Sequence, residues 1–315
     1  MLEFTILGRT LRADLGGPAQ LRGHWADWLH THWLYPQHRL PSSPFTITLH
    51  RLESAPPLNT SDWSTLELMA WQVPARLRDS QVSFGDLKSG AHLEINGDSA
   101  QITFWGATPS LGAMLHALIS ESLRASGLLS LHASAGAQDG RVTAFLGVSG
   151  AGKTTTLLRA WSAGWQPICE DLLWLAVDTL QVFGWDRGLR LLPDTLKRFG
   201  STVPALQNGA TQTDKWFVPY ESLALEPVTG RLAGLALLQR GESDFTQWQA
   251  ASRRETALAL WQATGLPLTV TSQTQVAAAI VSLTGRLEGK RLMLGREDFS
   301  PLPTVAPPLD SERTA

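Results

Sequence analysis

Cysteine is nearly missing from this chain. Cys169 is the one thiol in 315 residues, so no intramolecular disulfide can form, and the composition suits a reducing compartment. Also missing is any apolar run near the roughly 18 residues that a bilayer crossing takes. The start, MLEFTILGRTLRADLGG, has no basic segment leading into an apolar core, so it does not read as a secretory signal. No basic run appears, and 26 Lys and Arg against 28 Asp and Glu leave a formal net charge of −2. That balance argues against a broad electrostatic nucleic-acid surface. No internal repeat is visible. Together these absences predict a soluble, cytoplasmic protein with neither membrane nor nucleic acid as a partner. What is present is core-forming material: 43% of residues are hydrophobic and 17% charged. Thirteen tryptophans are scattered along the chain and read as core and interface fillers.

The first hundred residues alternate short apolar runs with breaks rich in Pro and Ser. PQHRLPSSP (36–44) and ESAPPLNTS (53–61) read as loops, and FTITLHRL (45–52) as a strand. AHLEI (91–95) and AQITFWG (100–106) read as two strands hinged on the turn NGD. Beyond them Thr108 can cap a helix with Pro109 at its first position; Leu111, Met114, Leu115, Leu118, Ile119 and Leu123 then repeat at helical spacing up to Gly127. LLSLHASA (128–135) and RVTAFLG (141–147) read as strands joined across Asp139-Gly140, a favoured hairpin turn. A helix follows within TTTLLRAWSA, then the short runs WQPIC and LLWLAV, a helix around PDTLKRFG, a buried strand in LAGLALLQR and a helix from Glu255 to Gln262. The expected organisation is a smaller mixed N-terminal domain over 1–106, an α/β domain over 107–300, and a loose tail over 301–315.

The chemistry starts at GVSGAGKT (147–154), which fits G-x-x-x-x-G-K-[ST] at Gly147, Gly152, Lys153 and Thr154. Such a loop turns backbone N–H groups inward around phosphates. Ser149, Gly150, Ala151, Gly152 and Thr155 join the fixed positions as phosphate-binding candidates. Lys153 would reach the β- and γ-phosphates, and the Thr154 hydroxyl would hold Mg²⁺. If Asp139-Gly140 is a two-residue turn, Ala133 faces Leu146 and His132 faces Gly147, setting an imidazole beside the loop's first glycine. A slip of one residue would turn that ring to the opposite face. A half-buried histidine satisfied by a carbonyl remains the plainer alternative for His132. Glu170-Asp171 follows the run WQPIC. If that run is parallel to 141–147, both carboxyl ends lie on one sheet edge, and the acids face the loop. A carboxylate there can hold Mg²⁺ or take a proton from an incoming hydroxyl; an ordinary acidic strand end facing water is the alternative. Arg187, Arg190, Arg240, Arg253 and Arg254 could shield transition-state charge, although structural or solvated roles weigh more. His30 and His32 form an H-x-H pair in the N-terminal region, near His24, His38 and His50, but no matching ligand pair points to zinc.

The stretch LHASAGAQDGRVTAFLGVSGAGKTTTLLRAWSAGWQPICEDLLWL resembles the catalytic core of the HPr kinase/phosphorylase family and its smaller relatives. That family is similar in fold to the phosphoenolpyruvate carboxykinases around its P-loop. The close match covers residues 128–177, and a weaker one extends through RGLRLLPDTLKRFG (187–200) and TDKWFVP (213–219). The resemblance implies Asp171 as general base toward a serine hydroxyl and His132 as a polar partner of that base or of the phosphate. Lys215 would contact a phosphate or the acceptor, with a solvated surface lysine as the alternative. Where the family has Asp-Asp this chain has Glu170-Asp171, and the extended signature that follows the core in true HPr kinases is not found.

The expectation is therefore an ATP- and Mg²⁺-dependent kinase acting on a serine-type hydroxyl of a small protein or peptide, such as a natural-product precursor peptide. Its fold would be a P-loop kinase core of the HPr kinase C-terminal or phosphoenolpyruvate carboxykinase-like type. Catalysis would rest on Lys153, Asp171 and His132, with metal at Thr154, Glu170 and Asp171. The alternatives are a P-loop ATPase or GTPase, a nucleotide-sensing module without turnover, and a small-metabolite kinase. The acceptor, the oligomeric state (a homo-oligomer included) and the preference for ATP over GTP or pyrophosphate stay open.

Overall fold

Strands rich in alternating apolar residues build most of the first hundred positions, as their two-residue period requires. The computed structural model of the chain describes residues 1–34, 40–57, 61–201, 203, 206, 209–212, 215–223, 229–296, 298 and 300–302. Parts of the loops expected at 36–44 and 53–61, His38, Thr213 and Asp214, and the tail from 303 onward lie outside these residues. The described residues form a mixed α/β protein with mixed sheets and six α-helices. Among the described residues no helix is long and apolar enough to cross a membrane.

The chain divides into two compact units. The first holds Met1–Ser130, Trp174–Phe183 and Thr264–Ser282; the second holds Leu131–Leu173, Gly184–Ala263 and the chain from Leu283 onward. In chain order the first stretch contains β1 (Leu2–Ile6), β2 (Arg9–Asp14), α1 (Ala19–His32), β3 (Thr46–Arg51) and β4 (Ser64–Leu68). It continues with β5 (Trp71–Arg78), β6 (Gln81–Gly85), β7 (Gly90–Asn96), β8 (Ser99–Trp105) and α2 (Ser110–Ala125). These eight strands make one sheet in the order β1-β2-β3-β8-β7-β6-β5-β4. The strands β2, β3 and β8 run parallel, and the other neighbours antiparallel. The first unit runs beyond residue 106 because α2 belongs to it: its buried Leu111, Met114, Leu115, Leu118 and Ile119 form an apolar stripe, and it packs on β7.

The second unit carries β9 (Leu128–Gln138) from Leu131 on, β10 (Arg141–Leu146), α3 (Lys153–Ser162), β11 (Gln166–Cys169) and the start of β12 (Leu172–Ala176). After β13 (Gln181–Gly184) come β14 (Gly188–Leu191), α4 (Pro193–Phe199), β15 (Ala210–Gln212) and β16 (Lys215–Pro219). Then follow β17 (Thr229–Arg240), β18 (Gln247–Ala250) and α5 (Arg253–Ala263). Helix α6 (Val270–Arg286) lies mainly in the first unit, and β19 (Gly289–Leu294) in the second. Helix α6 is tied to α2 at its start. The buried Glu121 carboxylate accepts the N–H groups of Leu268 and Thr269 at 2.9 and 2.6 Å and the Thr269 hydroxyl at 2.8 Å. An acid placed before a helix N-terminus satisfies donors that the helix leaves open.

Around α3 the sheet of the second unit runs β11-β9-β10-β17-β19-β18. Its middle strands are parallel: β10 with β17, and β17 with β19. Phe145, Ala160, Trp165, Ala236 and Leu292 pack into a core cluster, while Leu157 and Leu158 pack with Leu189, Leu191 and Phe199. Helix α3 is thus held on two faces, which fixes the loop that precedes it.

Candidate functional site

The site grows from one hairpin. Asp139 and Gly140 both adopt positive φ, 51° and 75°, as a two-residue turn that follows strand twist requires. The turn sets the register from Gln138 opposite Arg141 to Ala133 opposite Leu146, leaving His132 and Gly147 as the next residues beyond the ladder. On the other side of β9, Gln166 stands opposite Ala137 and, past an irregularity, Cys169 opposite Ala135. The Ala133 N–H then donates to the Asp171 carbonyl at 3.0 Å. Asp171 and Leu146 are therefore level, both beside Ala133. Strands β10 and β11 run in the same direction, though not as neighbours: each is antiparallel to β9, which lies between them. Their carboxyl ends reach one edge, so the glycine loop and the acid pair meet there.

Two glycines of the loop are required by space and by backbone. A Cβ at Gly147 would approach the Ala151 Cβ to 2.8 Å. Gly152 caps α3 with φ of 98°, a conformation that side chains disfavour. Helix α3 opens at Lys153, whose ammonium folds back and donates to the carbonyls of Gly147 and Val148 at 3.0 and 3.4 Å. Burial lowers the Lys153 pKa, while Asp171 and Glu170 pull it back up. The Ser134 hydroxyl donates to the Lys153 carbonyl at 3.0 Å, pinning the first turn of α3 to β9. Ser149 and Gly150 are exposed, Ala151 is buried, and Thr155 is half-buried.

The two acids have different partners. The Thr154 hydroxyl donates to Glu170 Oε1 at 2.5 Å. The imidazole Nδ1 of His132 lies 3.0 Å from Asp171 Oδ1, and both side chains are open to solvent, 51% and 38% exposed. The hydrogen bond from His132 holds the Asp171 carboxyl below the usual carboxylate range. Glu170 moves the other way: burial raises its pKa, against the hydrogen bond from Thr154. The charges of Arg190 and of Lys215, exposed at the start of β16, also pull the Glu170 pKa down, against its burial.

A third acid, absent from the sequence reading, organises the other two. One Asp186 oxygen accepts the backbone N–H groups of Glu170, Asp171 and Leu172 at 2.7, 2.7 and 3.2 Å. Burial pushes the Asp186 pKa up to about 7, against these hydrogen bonds. Within GWDRG it looks like an ordinary turn aspartate; nothing local in the sequence marks it. Arg240 is one of the arginines expected to be structural or solvated if it does not shield transition-state charge. Its guanidinium donates to the Gly150 carbonyl at 3.0 Å.

Comparison with known proteins adds no family. No protein-family model matches the chain, and no curated protein matches it. By chemistry alone, the Thr154 hydroxyl and the Glu170 carboxylate that it meets are hard oxygen ligands of the kind that could hold Mg²⁺. Among the described residues no group of three or more His, Cys, Asp or Glu is placed to hold a metal ion.

Proposed function

We propose that the chain is an ATP- and Mg²⁺-dependent kinase that transfers the γ-phosphate to a serine-type hydroxyl of a small protein or peptide, on a P-loop core of the HPr kinase type. The observation that carries this reading is the division of labour in the acid pair: Glu170 engages the loop threonine, while Asp171 engages His132. A metal carboxylate and a base carboxylate are the two acids that phosphoryl transfer to an alcohol needs.

In this reading the backbone N–H groups of 150–154 hold the phosphates at the start of α3. Lys153 leaves the carbonyls of Gly147 and Val148 to meet the β- and γ-oxygens. Thr154 and Glu170 would hold Mg²⁺, which would neutralise charge on the phosphate oxygens, and Asp171 is left to act as the base. Asp171, with its pKa held down, stays ionised at neutral pH and takes the proton of the acceptor hydroxyl. The hydroxyl oxygen bonds to the γ-phosphorus as the bond to the β–γ bridging oxygen breaks, and ADP departs with that electron pair. His132 orients the accepting carboxylate. Positioning and electrostatics carry most of the rate.

The test is incubation with γ-labelled ATP and the products of neighbouring genes, read by mass spectrometry, with Lys153→Ala as control. Asp171→Asn should retain ATP binding and lose transfer by a factor on the order of 10² to 10⁴. Undiminished transfer by that variant would remove Asp171 as the base. Label found only as free phosphate would replace the kinase with a hydrolase.

A further inference from the structure

The first unit carries two histidines, on different helices, that the kinase reading does not use. Helices α1 and α2 meet there over one turn. Trp28 of α1 lies against Gly112 of α2, where an added Cβ would come within 3.2 Å of the indole Nε1. Four residues further along each helix, His32 stands beside His116, with ring centroids 5.1 Å apart and planes at 81°. Steps of i to i+4 keep both contacts on one face of each helix, so the two imidazoles meet because the helices do. The Trp28 ring is 5.2 Å from His32 and 5.1 Å from His116, and Trp33 is 5.1 Å from His116. His32 is exposed and His116 half-buried, so solvent reaches the pair from the His32 side.

We infer that His32 and His116 bind a zinc ion whose tetrahedral shell is completed by water, and that the ion clips α1 to α2. The site is independent of the kinase reading. In the sequence the H-x-H pair His30 and His32 has no matching partner, and residues two apart on a helix do not face each other. The second ligand comes instead from α2. Spacing selects the ion. With Zn–N bonds of about 2.0–2.1 Å, each ring centroid lies about 3.2 Å from the metal, and two such rings at about 109° stand about 5.2 Å apart. Ligands at about 90°, as in the tetragonal shells of Cu²⁺ and Ni²⁺, would bring the centroids to about 4.5 Å. The observed 5.1 Å matches the tetrahedral value. Burial, with the nearby His32 charge, lowers the His116 pKa to about 4, so at neutral pH this imidazole is uncharged and offers a nitrogen lone pair. Each ring ligates through one nitrogen and keeps the other for a hydrogen bond, as metal-bound imidazoles do.

Titration calorimetry of the full chain with Zn²⁺, in buffer free of Mg²⁺ and nucleotide, tests the site. Two protein ligands predict a Kd on the order of micromolar, weaker than a four-ligand structural zinc. His32→Ala and His116→Phe should each weaken this zinc at least about tenfold, and the double variant no further than either alone, since one imidazole does not chelate. His116→Phe keeps a ring in the helix contact and removes only the nitrogens, so its effect is not one of packing. His30→Ala should leave the affinity unchanged. Zinc held at the acid pair instead survives both histidine variants. Co²⁺ in place of zinc should show the intense visible bands of a tetrahedral ion, and these should vanish in His116→Phe. No zinc bound up to about 1 mM, or affinity kept in either His32→Ala or His116→Phe, overturns the assignment. An equal loss in His30→Ala also overturns it, because the ion would then sit on the H-x-H pair. Weak, octahedral Co²⁺ bands overturn the tetrahedral geometry and with it the choice of zinc.

Discussion

Asp186 gives the sharpest physical prediction. Its carboxylate accepts three consecutive backbone N–H groups, yet burial raises its pKa from 3.8 to about 7. The folded protein therefore holds this proton more tightly than the unfolded chain, and the associated stability is present in full below pH 3.8 and lost as the pH rises through 7. At roughly 1.4 kcal/mol for each tenfold change in proton affinity, the loss is at most about 4 kcal/mol, less whatever solvent reaching the half-buried carboxylate restores. Asp186→Asn keeps an acceptor oxygen of similar shape and has no charge to desolvate. Urea denaturation of both proteins between pH 4 and pH 8 should show the stability of the wild type falling relative to the variant by about 1 kcal/mol per pH unit. A stability difference that stays constant over that range would refute the reasoning.

His132→Ala removes the hydrogen bond that holds the Asp171 carboxyl down, so the Asp171 pKa rises toward its ordinary value. The acidic limb of kcat/KM for transfer should move to higher pH, and an unmoved limb would separate His132 from the base. Arg159 is buried and donates to Ser300 O, Thr246 Oγ1 and Asp298 Oδ2 at 2.6, 2.8 and 3.0 Å. Arg159→Ala strands that carboxylate and should destabilise the protein by about 3–5 kcal/mol; a loss under about 1 kcal/mol in urea would show the pair to be dispensable.

Legibility followed the range of the interactions. The hairpin was readable because a two-residue turn is a local code, and its register followed by counting outward from Asp139-Gly140. The meeting of loop and acid pair was readable from the direction of two strands, even though β9 lies between them. Helix α1 carried too little signal, since it buries only Trp25 and Leu29, one i,i+4 pair. Helix α6 is faint in the sequence: its buried positions Ser272, Val276, Ala279, Ile280 and Leu283 keep helical spacing, but Ser and Ala blur the stripe and Val and Ile favour strands. The extent of the first unit was hidden for a related reason. Segments 174–183 and 264–282 return to it across more than forty residues, and no local pattern announces a return. Asp186 illustrates the last limit, because its importance lies in three N–H groups some fifteen residues away in sequence.

Strand β9 also serves as a measuring rod. Its far end is fixed by the Asp139-Gly140 turn, and its middle presents His132 and meets Asp171. Ala133 lies six positions before Asp139, roughly 20 Å of extended chain. An inserted residue at that solvent-facing turn would leave every residue of the site in place chemically. If the longer turn slipped the ladder of β9 and β10 by one residue, His132 would no longer stand level with the glycine loop. Length, set at a distance, is as much a part of this site as any of its side chains.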